Sequence, residues 1–178
     1  MDDASGWTGY SSYKELVALA QVQRFSAAHA LSLEFASLTT FHRLATTNRK
    51  YGTYYAQLPL PHYVFPGLAK RWQELAPPEL AEVVQKEQIE TYIAEDGIII
   101  DDYQMQTHQV HFTEYIQRGF IGTCRYMMRG PDEAPTGTSP LTIRQQLQLL
   151  AWFAFYTGVG YKTTMGMGQV RLVPSVQK

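Results

Sequence analysis

Gly158-Val-Gly-Tyr-Lys-Thr-Thr-Met-Gly-Met-Gly168 brings four glycines, a lysine and two threonines into eleven residues. Glycine admits positive φ and close approach of another backbone, and successive exposed N–H groups in such a stretch make an anion-binding concavity. Gly158, Gly160, Gly166 and Gly168 would supply that backbone, Lys162 a cation, and Thr163 and Thr164 two hydroxyls. The spacing is neither a Walker motif, which ends in one Gly-Lys-Ser/Thr before a helix, nor a dinucleotide fingerprint. The alternative is a turn that only lets the last helix pack close to a sheet. Other groups offer less chemistry. His108 and His111 are three apart on a strand-like stretch and face opposite sides, so no metal pair is expected. Asp101 and Asp102 are neighbours, not a pair across a cleft, and His29 and His62 flank structural elements. A single cysteine, Cys124, excludes an internal disulfide and a cysteine-rich zinc site. Neither metal nor cofactor is expected.

The elements that must position these groups follow from periodicity. Residues 1–25 read as a lead-in with a helix around Ser12–Ala20, where Ser12 and Glu15 have capping-box spacing. Residues 26–178 read as the domain. Leu31, Leu33 and Phe35 alternate as on a half-buried strand. A polar, basic loop is expected from Thr39 to Gln57, carrying His42, Arg43, Arg49 and Lys50. Val64, Leu68, Trp72 and Leu75 fall on one helical face. Pro78 opens a second, acidic helix through about Ile93. Ile98 starts a long strand, Gln117-Arg-Gly119 reads as a turn, and Phe120–Met128 returns as the second arm of a hairpin. Residues 140–156 read as an apolar helix capped by Ser139, burying Leu147, Leu150, Trp152, Phe153 and Phe155. Gln169–Val173 closes the chain as a strand. The fold class is α+β: a ferredoxin-like (RRM-like) βαββαβ sandwich with an extra helix after the first. Helices cover one sheet face and leave open the face that RNA-binding members use.

Charge is segregated along the chain. The net formal charge is −1, yet Glu74–Asp102 holds nine of the 16 acids and a single base, Lys86. The remainder carries 14 bases and seven acids, or +7. No acid occurs from Ala36 to Gln73 or from Ala134 to Lys178. A polyanion responds to the local field and not to the total, so the charge pattern permits RNA without establishing it. No apolar run approaches the roughly 20 residues of a membrane-spanning helix, the first residues fit no targeting signal, and a cytoplasmic setting is expected.

The glycine segment resembles the glycine-rich motif of the RAMP superfamily, in particular of the CRISPR-associated endoribonucleases that cut precursor crRNA, the Cas6 family. Phe35-Ala-Ser-Leu-Thr-Thr-Phe-His42, Leu58-Pro-Leu-Pro-His-Tyr-Val-Phe65, Leu68-Ala-Lys-Arg-Trp72 and Ala76-Pro-Pro78 are similar to a second series of that family, and Trp7–Leu16 to its approach segment. Leu38 stands where a proline is common, and His42 where lysine, arginine or glutamine is usual. Family members usually carry two ferredoxin-like halves, and these motifs belong to the second. The half that in many members supplies the catalytic histidine is not in this chain.

The resemblance implies CRISPR repeat RNA or crRNA as partner, and metal-independent attack of a 2′-hydroxyl on the adjacent phosphate. That reaction requires a base, an acid and a cation at the phosphorane. His42, with Arg43, Arg49, Lys50 and Tyr51 around it, is the candidate catalytic residue; the alternative is a phosphate contact. Arg118, Arg125 and Arg129 on the hairpin could hold phosphates, or be ordinary solvated arginines. Three readings stand: the RNA-cradling half of a precursor-crRNA endoribonuclease, a non-catalytic crRNA-binding subunit, or a generic interaction domain. A separately encoded N-terminal half, other CRISPR-associated subunits or a homodimer would cover the apolar surface left by the absent half.

Overall fold

The computed structural model describes residues 9–24, 29–44, 52–132, 134 and 137–173. In chain order the elements are α1 (Tyr13–Val22), β1 (His29–Thr39), β2 (Phe41–Leu44), β3 (Thr53–Ala56), α2 (Pro61–Leu75), α3 (Pro78–Ala81), α4 (Lys86–Ala94), β4 (Ile98–His111), β5 (Ile116–Met128), α5 (Ile143–Thr157) and β6 (Val170–Val173). The alternation at Leu31, Leu33 and Phe35 becomes the buried side of β1. The main sheet has the antiparallel order β4-β5-β1-β6. With helices connecting β1 to β4 and β5 to β6, this is the expected ferredoxin-like fold.

The helices lie over one face: α1 packs on α5, and α2 on α4 and α5. Their buried side chains, among them Phe65, Leu68, Trp72, Leu147, Leu150 and Phe153, join Leu33, Cys124, Tyr126 and Met128 of the sheet in one core. Burial pushes the Cys124 thiol up to about 11, so it is inert in that core. The Ser12–Glu15 capping box starts α1 as expected. This helix contributes Leu16, Val17 and Ala20 to the same core, and Tyr13 meets Trp72 edge-on at 5.2 Å. Gln145 Nε2 donates to the carbonyls of Gln21 at 3.2 Å and Gln23 at 3.1 Å, tying the end of α1 to α5.

Four local expectations are corrected. The stretch expected as a loop from Thr39 to Gln57 contains the hairpin β2–β3, with His42 opposite Tyr55 and Arg43 opposite Tyr54. Its strands are too short to show a period; Phe41 anchors the start of β2 in the core and Ala56 packs against it from β3. The acidic helix is two helices, α3 and α4, because a turn at Glu82–Gln85 buries the adjacent Val83 and Val84 together; one continuous helix would point them about 100° apart. The β4–β5 turn lies at Phe112–Tyr115, not at Gln117–Gly119. Pairing continues to His111 opposite Ile116, so Arg118 is a strand residue. Gly119 serves close approach and not a turn: a Cβ there would lie 2.3 Å from the Thr39 carbonyl oxygen. Finally, α5 is capped by Thr142, which forms a capping box with Gln145. Ser139 instead donates to the Val83 carbonyl at 2.7 Å. Leu75 is exposed at the end of α2, and Trp152 and Phe155 are half-buried.

Candidate nucleic-acid interface

The glycine segment leaves α5 at Gly158 and enters β6 after Gln169. It is held to β1, which is irregular between Phe35 and Thr39. The Gly168 N–H donates to the Leu38 carbonyl at 2.9 Å, Gln169 N–H to Ser37 Oγ at 2.8 Å, and Tyr161 N–H to the Thr40 carbonyl at 2.9 Å. The N–H groups of Gly158, Val159, Met165 and Gly166 are bonded to carbonyls as well. Six of the eleven N–H groups of the segment are thus engaged, and none of these bonds uses the N–H groups of Lys162, Thr163 or Thr164. Two glycines are required sterically: a Cβ at Gly160 would lie 2.4 Å from the Thr40 carbonyl oxygen, and one at Gly168 would lie 1.9 Å from that of Val159.

Arg71 of α2 holds the other side of the segment. Its Nη1 donates to the carbonyls of Thr157 at 3.0 Å and Gly158 at 2.7 Å, and Nη2 to that of Gly160 at 2.9 Å. Burial lowers its pKa from the ordinary arginine value. Its neighbour Trp72 donates Nε1–H to the Leu80 carbonyl at 2.9 Å, and Tyr126 donates to the Pro59 carbonyl at 2.6 Å. Thus the Phe35–His42, Leu58–Phe65 and Leu68–Trp72 motifs all converge on the glycine segment or its support.

The segment also presents side chains. Lys162 is in the left-handed region at φ 57°. Its Nζ donates to Tyr115 Oη and stands 3.9 Å from the centroid of the Tyr115 ring and 5.3 Å from those of Phe112 and Tyr161. The hydrogen bond to Tyr115 raises the lysine's pKa, which favours its cationic form. Thr164 is exposed. Thr163 is half-buried, its methyl beside Gly158 and Gly168.

Next to Lys162, the three rings of His42, Tyr55 and Tyr161 cluster with centroids 5.1 to 5.8 Å apart. The Arg43 guanidinium lies 4.6 Å from the Tyr63 centroid, and the hydroxyls of Tyr54 and Tyr63 are 3.3 Å apart. A cleft of about 240 Å³ opens between β2, α2 and the glycine segment. His42, Arg43, Arg71 and Tyr161 line it, and among the described residues no carboxylate does. Cations and exposed rings without acids suit phosphates and unstacked bases. His42 is the one imidazole lining the cleft.

The structure does not bring all the expected residues together. Arg118 is exposed on β5, opposite Gln109. Arg125 is ion-paired to Asp101 at 3.2 Å on the open sheet face, where Arg171 pairs with Glu34 at 2.7 Å. Arg129 Nη1 donates to the Asp96 carbonyl at 3.4 Å, at the opposite end of β5 from Lys162, about 40 Å away by strand rise. Arg49 and Lys50 lie outside the described residues. Sequence reasoning overlooked Arg71, Tyr54, Tyr55, Tyr63, Phe112 and Tyr115. Arg71 and Tyr63 had a signal, their places in the Leu68–Trp72 and Leu58–Phe65 motifs. Among the described residues no acidic, histidine or cysteine cluster could hold a metal, and no helix is long and apolar enough to cross a membrane.

Residues 33–170 match the family model of the CRISPR-associated endoribonuclease Cas6. The chain belongs to that family. Among solved structures, the product complex of Cas6 (TTHA0078) is 26% identical and superposes with a TM-score of 0.63, covering 98% of this chain and 61% of that one. The product complex of Cas6 (TTHB231) is 22% identical with a TM-score of 0.64, covering 94% and 57%. Thermus thermophilus Cas6 (TTHB231) is 21% identical with a TM-score of 0.61, covering 94% and 60%. The two TTHB231 likenesses carry the fold alone. This chain thus spans about three fifths of the solved Cas6 chains it matches. No curated protein matches it.

Proposed function

We propose that this Cas6-family chain binds CRISPR repeat RNA for precursor-crRNA processing, as the RNA-holding C-terminal half of the enzyme. The observation that carries the reading is the grouping of Lys162, Arg43, Arg71 and His42 with exposed tyrosines beside the glycine segment, with no acid among the described residues lining the cleft. Lys162, Thr163 and Thr164 would meet phosphates, while Arg71 acts from behind by holding the carbonyls of the segment. The reaction would be metal-independent. A base removes the 2′-hydroxyl proton, the 2′-oxygen attacks the adjacent phosphorus, and the bond from phosphorus to the 5′-oxygen breaks. That oxygen takes up a proton, leaving a cyclic phosphate and a 5′-hydroxyl. His42 would supply one proton transfer. Among the described residues no carboxylate and no second imidazole lines the cleft, and the other group would come from a separate N-terminal half.

The same observation supports a second reading, a crRNA-binding subunit that does not cut. Incubating the chain with end-labelled repeat RNA in EDTA separates the two. Cleavage lost in His42→Ala and on 2′-deoxy substitution at the cut supports the enzyme. Salt-sensitive binding without cleavage supports the subunit. Affinity that does not change with salt would sink both.

A further inference from the structure

Helix α2 carries a glycine at position 67, and no local geometry accounts for it. It lies well inside the 15-residue helix, where glycine is about 1 kcal/mol less favourable than alanine. Its φ is not positive, and a Cβ built on it meets nothing within 4 Å. Neither strain nor close packing excludes a side chain. Tyr63, Gly67 and Arg71 follow at i, i+4 and i+8, so they share one helix face, and all three line the cleft of about 240 Å³. Any residue larger than glycine would project its side chain into that space.

We infer that Gly67 keeps this cleft open as a subsite for one unpaired nucleobase. The inference rests on the RNA reading above and adds to it the location and chemistry of a base pocket. The volume is below the roughly 300–1,000 Å³ of sites for drug-sized ligands and suits a single planar ring system. The walls suit a base as well. Val64, Leu68 and Val159 are apolar, while Phe41, His42, Tyr63 and Tyr161 offer rings. Arg43 and Arg71 place cations where the attached phosphate would lie. Arg71 uses two Nη1 donors and one Nη2 donor on carbonyls, which leaves the remaining edge of its five-donor fork for an anion. The target is a nucleotide outside a stem, since a paired base could not leave its stack to enter a pocket without added cost.

The test uses the full chain, its Gly67→Phe and Gly67→Leu variants, and a single-stranded repeat RNA with one position at a time made abasic. Both variants should melt at or above the wild-type temperature, because a helix former replaces glycine in open space. Both should bind the intact RNA about tenfold more weakly, the size of one lost stacking contact. In the wild type, one abasic position should produce a similar loss. In Gly67→Phe that same position should no longer matter, the non-additivity that marks a shared contact. Unchanged RNA affinity in both stable variants would overturn the subsite, as would the same abasic profile in variant and wild type. If the wild type binds the RNA but shows no sensitive position, this inference fails while RNA binding stands. If the wild type binds no RNA in a salt-sensitive way, the RNA reading itself has failed.

Discussion

The open face of the sheet and the glycine-segment end both carry cations, but in different company. On the sheet face Arg125 meets Asp101 and Arg171 meets Glu34, so each guanidinium already has a carboxylate within 3.2 Å. At the glycine end Lys162 meets tyrosine rings, Arg43 lies over Tyr63, and Arg71 grips carbonyls. Rings and carbonyls orient a cation without cancelling its charge; carboxylates cancel it. A polyanion should therefore be drawn to the end of the sandwich and not to the sheet face, even though the face is where the architecture leaves room.

The largest effect that would test this contrast is on RNA affinity. Lys162→Ala combined with Arg43→Ala should weaken repeat-RNA binding by more than about tenfold and lower the salt slope by about 2. Arg125→Ala combined with Arg171→Ala should change affinity by less than about threefold. Filter binding over a salt series reads both, and equal losses would erase the contrast. The Lys162 loss should also be uniform across repeat sequences, since phosphate contacts carry no sequence information.

A second effect is on stability. Arg71→Ala removes the guanidinium donors from the carbonyls of Thr157, Gly158 and Gly160 and should destabilise the fold by about 3 kcal/mol in urea denaturation. Arg171→Ala removes a partly exposed ion pair and should cost less than about 1 kcal/mol. If the two variants proved equally stable, Arg71 would not be the clamp described.

The smallest effect is a pH dependence. Burial, then the nearby Arg43 charge, holds the His62 pKa below its ordinary value. Burial, then Arg144, lowers that of His29 at the other end of the molecule, although a Gln148 hydrogen bond opposes the shift. Each histidine is harder to protonate folded than unfolded. Its contribution is therefore complete above about pH 6.5 and is lost as pH falls toward the folded value. Denaturation midpoints should drop slightly across that window. Arg43→Ala should raise the His62 value and leave His29 unchanged in an NMR titration; parallel movement of both would contradict a local Arg43 effect.

Much of the architecture was written in local pattern. The alternation at Leu31, Leu33 and Phe35, the helical face of Val64, Leu68 and Trp72, and the Ser12–Glu15 capping box each follow from neighbours a few residues away. They determined the order of strands and helices and hence the ferredoxin-like class. The four-residue strands of the β2–β3 hairpin had no such period, and Gly119 gave a turn signal for what is a close backbone approach. The glycine segment was legible as a special place, but which of its N–H groups are engaged was not: six of the eleven are bonded to carbonyls, of α5, of residues 38–40 and of the segment itself.

The fate of each charge was settled only by the tertiary structure. Arg71 reaches carbonyls 86 to 89 residues away, and Lys162 reaches Tyr115 across 47. Nothing in the spacing of a sequence records such pairings, because they depend on which elements the core brings side by side. The sequence by itself determined that there are cations near the glycines and on the hairpin. Whether a cation is paired, clamped or left facing a cleft depends on its neighbours in space, since Coulomb and hydrogen-bond terms act over a few ångströms.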